Sequence, residues 1–272
     1  MTMSTTTTTK TDKPKTRRWD RETPVYVRRL KMTIAYDGRP FRGWQSEANG
    51  NGIQDHMQRA LEVLCRRSVD VQGSGRTDAG VHALGQVAHV DVDSKRFPLG
   101  QWREAINAHL PPEIRVVRCT RAPKDFHARF SAKGKIYRYV IWNDRVFPPL
   151  EIGRSFHVHK VLNLEKLRAD AQLLVGTHDF GAFAANRGFK ERTTVRTIHE
   201  IKISVRGKRV ALSFRGNGFF YHQVRLMAGQ LVRANLPEAP PDDIARRLEI
   251  GAPAKCQHAA PASGLYLVRV LY

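Results

Sequence analysis

The residues of this chain best placed to do chemistry lie in Gly75-Arg76-Thr77-Asp78-Ala79-Gly80-Val81-His82. One carboxylate sits there among small residues, with a guanidinium two positions before it, a hydroxyl beside it and an imidazole four positions after it. Glycines on both sides permit close backbone approach and leave little bulk above the acid. A carboxylate so placed has three possible tasks. It can be a nucleophile that forms a covalent intermediate, a general base, or the cap of a turn leading into the next strand. Spacing alone favours the turn, because Asp is common in such loops. Gly73, Gly75 and Gly80, with Arg76 and His82, favour a site over a plain turn.

Other chemistries fit less well. The stretch lacks the Gly-Lys-Ser/Thr ending of a phosphate-binding P-loop and the full GxGxxG spacing. His82 follows Asp78, but no Gly-x-Ser-x-Gly nucleophile elbow accompanies them. His157-Val158-His159 puts two rings on one strand face without a nearby third ligand, which favours a polar strand face over a metal site. Cys65, Cys119 and Cys256 are sparse, odd in number and outside any CxxC pair, so neither a disulfide framework nor a cysteine zinc site is expected. A reducing cytoplasm fits them.

The elements that must position Asp78 can be read from periodicity. Leu30 to Tyr36 alternates as a strand and ends at Asp37-Gly38, a turn signal. Ile53, Met57, Ala60, Leu61 and Leu64 recur at helical spacing. Ala88, Val90 and Val92 alternate with His89 and Asp91, the pattern of a half-buried strand. A short helix is expected over Trp102 to His109, stopped by Pro111-Pro112. Ile136 to Trp142 is a β-branched and aromatic strand. Asn163 caps a helix carrying Leu164, Leu167, Ala171 and Leu174, with Gly176 past its end. Two alternating runs, Ile201-Ile203-Val205 and Val210-Leu212-Phe214, flank Arg206-Gly207-Lys208 as a hairpin. A helix with Val224, Met227, Ala228, Leu231 and Val232 on one face follows, and Leu265 to Leu271 is the last strand. Hairpins without strict βαβ alternation predict an α+β fold with a mainly antiparallel sheet. Two halves of similar content meet near Ser131.

The chain has 272 residues, with 46 Lys and Arg against 25 Asp and Glu, a formal charge of +21. Such an excess attracts and steers polyanions, so nucleic acid is the first candidate partner and an anionic membrane surface the second. No apolar run approaches a spanning helix, and the start lacks a secretory signal pattern. Residues 1–24 are poor in large apolar residues and rich in Thr, Lys and Arg, and read as a disordered basic tail.

Six segments, in order, resemble the TruA family of tRNA pseudouridine synthases, from about Arg28 to Tyr272. Ala35-Tyr36-Asp37-Gly38 with Phe41-x-Gly43-Trp44-Gln45 resembles its N-terminal signature. Gly75 to His82 with Gln86-Val87-Ala88 resembles its catalytic loop and strand. Phe126-His127-Ala128-Arg129-Phe130-Ser131 and Tyr137-Arg138-Tyr139 resemble its RNA-contacting loop and base-facing tyrosine. Gly176-Thr177-His178-Asp179-Phe180 resembles the start of its second RNA-contacting loop. Gly218-Phe219-Phe220-Tyr221-His222-Gln223-Val224-Arg225 resembles its arginine helix, and Ala260 to Leu267 its closing strand.

The resemblance implies a pseudouridine synthase fold: two pseudo-symmetric α/β halves, 25–130 and 131–272, share the sheet and enclose a basic catalytic cleft. It implies that Asp78 attacks a uridine at uracil C6 or ribose C1′, that Arg225 pairs with Asp78, and that Tyr137 lies against the base. Arg76 would help the uridine leave its stack. Phe126, His127, Ala128, Arg129, Phe130 and His82, with Arg76 and Tyr137, would contact RNA. The substrate would be tRNA at positions 38, 39 and 40 of the anticodon stem-loop, bound by a cytoplasmic homodimer. An isomerisation needs no cofactor, and no metal is expected. The same chemistry on another RNA, and a non-catalytic RNA-binding protein of this fold, remain as alternatives. Ser46-Glu47, Phe189-Lys190-Glu191-Arg192 and the proline-rich Leu236 to Pro241 depart from the family pattern, at RNA contacts and helix packing and not in the catalytic set.

Overall fold

The computed structural model describes residues 27–45, 50–185, 193–236, 243–252, 256 and 258–272. The tail, Tyr26, Ser46-Glu47, Phe189 to Arg192 and residues 237–241 lie outside the described residues.

The chain forms β1 (Val27–Tyr36), α1 (Ile53–Cys65), β2 (Gln72–Gly73), β3 (His82–Asp93), α2 (Trp102–Asn107), β4 (Ile114–Ala122), β5 (Gly134–Asn143) and β6 (Phe156–Val158). There follow α3 (Leu164–Leu173), β7 (Gly176–Asp179), β8 (Val195–Arg206), β9 (Arg209–Gly216), α4 (Gln223–Ala234), α5 (Asp243–Ile250) and β10 (Leu265–Leu271). One sheet runs β4-β1-β3-β10-β5-β9-β8-β7, with β2 on β3 and β6 on β5. Its pairings are antiparallel except β10 with β3 and β6 with β5. The chain's last strand therefore lies in the middle of the sheet. It joins β3, which leads out of the Asp78 loop, to β5, which carries Tyr137.

Local sequence accounts for most of these elements. In β1, Leu30, Met32 and Ile34 are fully buried, each contributing about 1.5–3 kcal/mol through removal from water. Asn163 accepts hydrogen bonds from Glu165 N and Lys166 N at 3.1 and 3.0 Å, satisfying the first turn of α3. The β8–β9 hairpin pairs Arg206 with Arg209 across Gly207-Lys208. On α4 nearly every position except Arg225 and Arg233 is buried, and the helix packs against α3, α5 and β5. The short helix expected to reach His109 ends at Asn107. β3 differs from its expected half-wet pattern: His89 is only 5% exposed, because this central strand is covered on both faces and the ring accepts Ala128 N at 3.2 Å. β4 and α5 are not apparent from periodicity. All three cysteines are free thiols. Among the described residues, no helix is long and apolar enough to cross a membrane.

Candidate active site

Asp78 lies in the loop between β2 and β3, in a tight turn closed by Val81 N donating to Asp78 O at 3.1 Å. The loop is anchored from below at several points. Trp44 N donates to Thr77 O at 3.0 Å, and the hydroxyls of Thr77 and Tyr36 share a 2.8 Å hydrogen bond. Gln86, fully buried on β3, accepts from Ser74 Oγ at 2.6 Å and donates to Gly75 O at 2.9 Å. Gly43 adopts φ +86°, and a Cβ there would stand 2.4 Å from Thr77 O. The segment Phe41-x-Gly43-Trp44-Gln45 is therefore the floor on which the Asp78 loop rests, and glycine is required because the two backbones touch.

The opposite wall is the first turn of α4. Arg225 Nη1 lies 3.1 Å and His222 Nε2 3.2 Å from Asp78 Oδ2. Arg225 also donates through Nε to Ala260 O at 2.8 Å, and Ala260 N donates back to Arg225 O at 3.0 Å. One planar guanidinium thus spans the closing segment and the carboxylate, which fixes its orientation. Burial pushes the Asp78 carboxyl up, but the hydrogen bond and charge of His222, together with those of Arg225, outweigh burial and hold it below the usual Asp value. The N-terminal end of α4 adds a favourable dipole for an anion at that place. The result is a desolvated carboxylate kept ionised.

Tyr137 completes the arrangement from β5. It is 8% exposed, packs edge-on against Phe219 with ring centroids 5.3 Å apart, and lines the cleft that holds Asp78. Burial, then the nearby Tyr36 and the Asp78 charge, raise its hydroxyl pKa, so it remains a phenol. The cleft is about 910 Å³, at the upper end of the roughly 300–1,000 Å³ of small-ligand pockets. Its lining includes Arg76, Arg129, Lys135 and Arg196, and Arg196 stacks over the Phe220 ring at 3.8 Å.

A family profile described as tRNA pseudouridine synthase matches residues 32–131 and 171–272. The chain belongs to that family. It is 41% identical over 251 residues to tRNA pseudouridine synthase A of Akkermansia muciniphila, covering 90% of this chain and 95% of that protein. It is 42% identical over 243 residues to the enzyme of the same name from Syntrophotalea carbinolica, covering 89% and 96%. The Acetivibrio thermocellus protein of that name is 38% identical over 246 residues, covering 90% and 100%.

In this pseudouridine synthase, Asp78, Tyr137, Arg76 and Arg129 line one cleft, Arg225 stands against Asp78, and other candidates lie elsewhere. His82 is turned away and 3% exposed. Its Nδ1 accepts Gly38 N at 3.1 Å, its Nε2 faces Gly153 O at 2.9 Å, and its ring stacks on Tyr266 at 4.6 Å. A ring enclosed on all these sides has no edge for RNA, so its role is to tie β3 to the Asp37 turn. The Ala128 side chain is also fully buried, and its backbone is held by His89 and by the Tyr272 hydroxyl at 2.7 Å. Phe126 is half-buried against Tyr272, ring centroids 5.0 Å apart, and Lys31 caps that pair. His127 Nδ1 accepts Arg129 N and Phe130 N, at 3.1 and 3.3 Å. From this loop Arg129 and Phe130 project, the latter 77% exposed. His157 stacks on Phe147 and its Nε2 meets Asp144 O at 2.8 Å, away from the cleft. No group of three or more His, Cys, Asp or Glu among the described residues is arranged to hold a metal.

His222 is the residue that sequence reasoning passed over. It stands three positions before Arg225, one helical turn away and on the same face. It adopts φ 60° as the residue capping α4, and its ring stacks on Tyr221 at 3.7 Å. A non-glycine residue in that region carries backbone strain of about 1–3 kcal/mol, and here the strained conformation coincides with the contact to Asp78.

Proposed function

We propose that this chain isomerises uridine to pseudouridine at positions 38, 39 and 40 of the tRNA anticodon stem-loop, with Asp78 as nucleophile and without a cofactor. The observation that carries the reading is Asp78, paired with Arg225 at 3.1 Å and lining one cleft with Tyr137. An ionised carboxylate on a glycine-flanked loop can attack uracil C6 or ribose C1′. The C1′–N1 bond breaks, the uracil rotates, C1′ bonds to C5, and the bond to Asp78 is cleaved, which returns the free carboxylate. The C5 proton leaves and N1 gains one, so the reaction balances without redox or group transfer. Arg225 keeps the nucleophile charged and aimed, and the Tyr137 ring supports the base, with its phenol available to the C5 proton.

The target base must leave its stack, at about a few kcal/mol. Arg76, exposed at the cleft mouth, fills the place vacated by the base, and the projecting Arg129 and Phe130 hold the stem backbone. With a charge of +21, binding is dominated by phosphate contacts and read through shape. The division into 25–130 and 131–272, a cytoplasmic location and a homodimer that lays each tRNA across both subunits belong to this reading.

The test is pseudouridine mapping of tRNA from a strain lacking this chain. Loss at positions 38 to 40, restored by the wild-type chain, supports the reading. Retained pseudouridine at all three positions contradicts it.

A further inference from the structure

Lys135 enters the same cleft from β5 and has no task in the mechanism above. It stands two residues before Tyr137, and in a strand such residues share a face. Its ammonium reaches across to the Asp78 loop: a Cβ on Gly75 would meet Lys135 Nζ at 2.3 Å. The missing side chain of Gly75 is what makes room for that tip. No hydrogen bond or ion pair joins Lys135 to a described residue. Burial, with the like charge of Arg129, pushes its pKa down to about 8. An ammonium that is desolvated, beside other cations and without a carboxylate is costly. Such a cost is relieved when an anion arrives.

We propose that Lys135 binds the phosphodiester flanking the extruded uridine, gripping the backbone while Tyr137, on the same strand face, supports the base. This rests on the cleft being the uridine site. The two residues hold one nucleotide at two points, and the phosphate is drawn in because it supplies the missing counter-charge. A protein carboxylate at this position would neutralise the lysine and repel the RNA.

The experiment uses the full-length protein and anticodon stem-loop RNAs, read by tritium release from 5-tritiated uridine. Each RNA carries a single uncharged methylphosphonate linkage 5′ or 3′ to the target, or none. Lys135→Met is expected to lower kcat/KM on native RNA by about tenfold to a hundredfold, the worth of one charge-assisted hydrogen bond. One of the two uncharged linkages should cost wild type the same factor, and on that RNA Lys135→Met should lose nothing more. Lys135→Arg should keep most of the native rate. Removing a desolvated charge with no counter-ion among the described residues should leave the melting temperature of Lys135→Met equal or higher, whereas a structural lysine would lower it. Losses that multiply for both linkages, an undiminished native rate, or a lowered melting temperature overturn the assignment while the uridine reading stands. A wild-type protein inactive on native RNA overturns both.

Discussion

Replacing Arg225 by Met tests the electrostatic logic of the cleft. The guanidinium lies 3.1 Å from Asp78, and at an effective dielectric of about 20 that separation corresponds to an attraction of about 5 kcal/mol. Both side chains retain some contact with water, 15% for Arg225 and 18% for Asp78, and His222 stays at 3.2 Å, so the realised loss is smaller. Removing one opposite charge at this range raises a carboxylate pKa by about 1–3 units. At about 1.36 kcal/mol per unit, the ionised form of Asp78 then loses about 1.4–4 kcal/mol. Burial pushes Asp78 upward, and Arg225→Met removes the Arg225 charge and hydrogen bond that oppose it. The assay is tritium release from 5-tritiated uridine tRNA as a function of pH. Wild type should hold its rate down to below the ordinary Asp range. In Arg225→Met the acid limb of kcat/KM should move up by about 1–3 pH units. The plateau rate should also fall by about a hundredfold or more, because the carboxylate is no longer aimed. Arg225→Lys should restore part of the pH profile but less of the rate, since one ammonium cannot span both Asp78 and Ala260 O. An acid limb that does not move, with a rate within tenfold of wild type, would refute the reasoning.

Other consequences follow from the same geometry. Tyr137→Phe removes a hydroxyl with no hydrogen-bond partner among the described residues. Thermal stability should therefore be kept within about 0.5 kcal/mol while kcat falls by about a hundredfold or more if the phenol handles the C5 proton. Gly43→Ala forces φ +86° on a residue with a Cβ and drives that atom to 2.4 Å from Thr77 O. It should cost about 1–3 kcal/mol in chemical denaturation and lower turnover further by displacing Asp78. For His82, burial outweighs the Gly153 hydrogen bond and the Asp37 charge and lowers the ring pKa. The unfolded chain therefore takes up the proton first, and the contribution of His82 to stability is present above its ordinary value of about 6.5 and lost as pH falls below it. Melting temperature should drop between about pH 7 and 5, and His82→Gln should flatten that slope; an unchanged slope would contradict the assignment.

The strands and helices that bury one clean face were legible because their periods are clean: Leu30 to Tyr36, the Gly207 hairpin, the Asn163-capped helix and the α4 stripe. β4 was not, since Arg115, Arg118 and Arg121 break its alternation on a sheet edge where one side meets solvent. α5 was missed because in DIARRLEI only Asp243 and Ile244 are buried. The octapeptide around Asp78 pointed to the carboxylate, yet its partners come from 59 and 147 residues away in sequence, a convergence that only the resemblance could anticipate. His82 shows the opposite failing. Proximity to Asp78 in sequence suggested a shared site, but the turn at Ala79-Gly80 sends the strand, and the ring with it, behind the loop. His222 went unassigned because a histidine before a helix has no local pattern that marks it as facing an acid on another element.

The most direct measurement of the central claim is Asp78→Asn, compared with wild type for tritium release and for tRNA binding at one salt concentration. The substitution keeps size and shape and removes the negative charge. Release should fall to background while binding is kept or slightly strengthened, because the lost charge is one the RNA phosphates would otherwise face. Release from Asp78→Asn equal to that of wild type would contradict that claim.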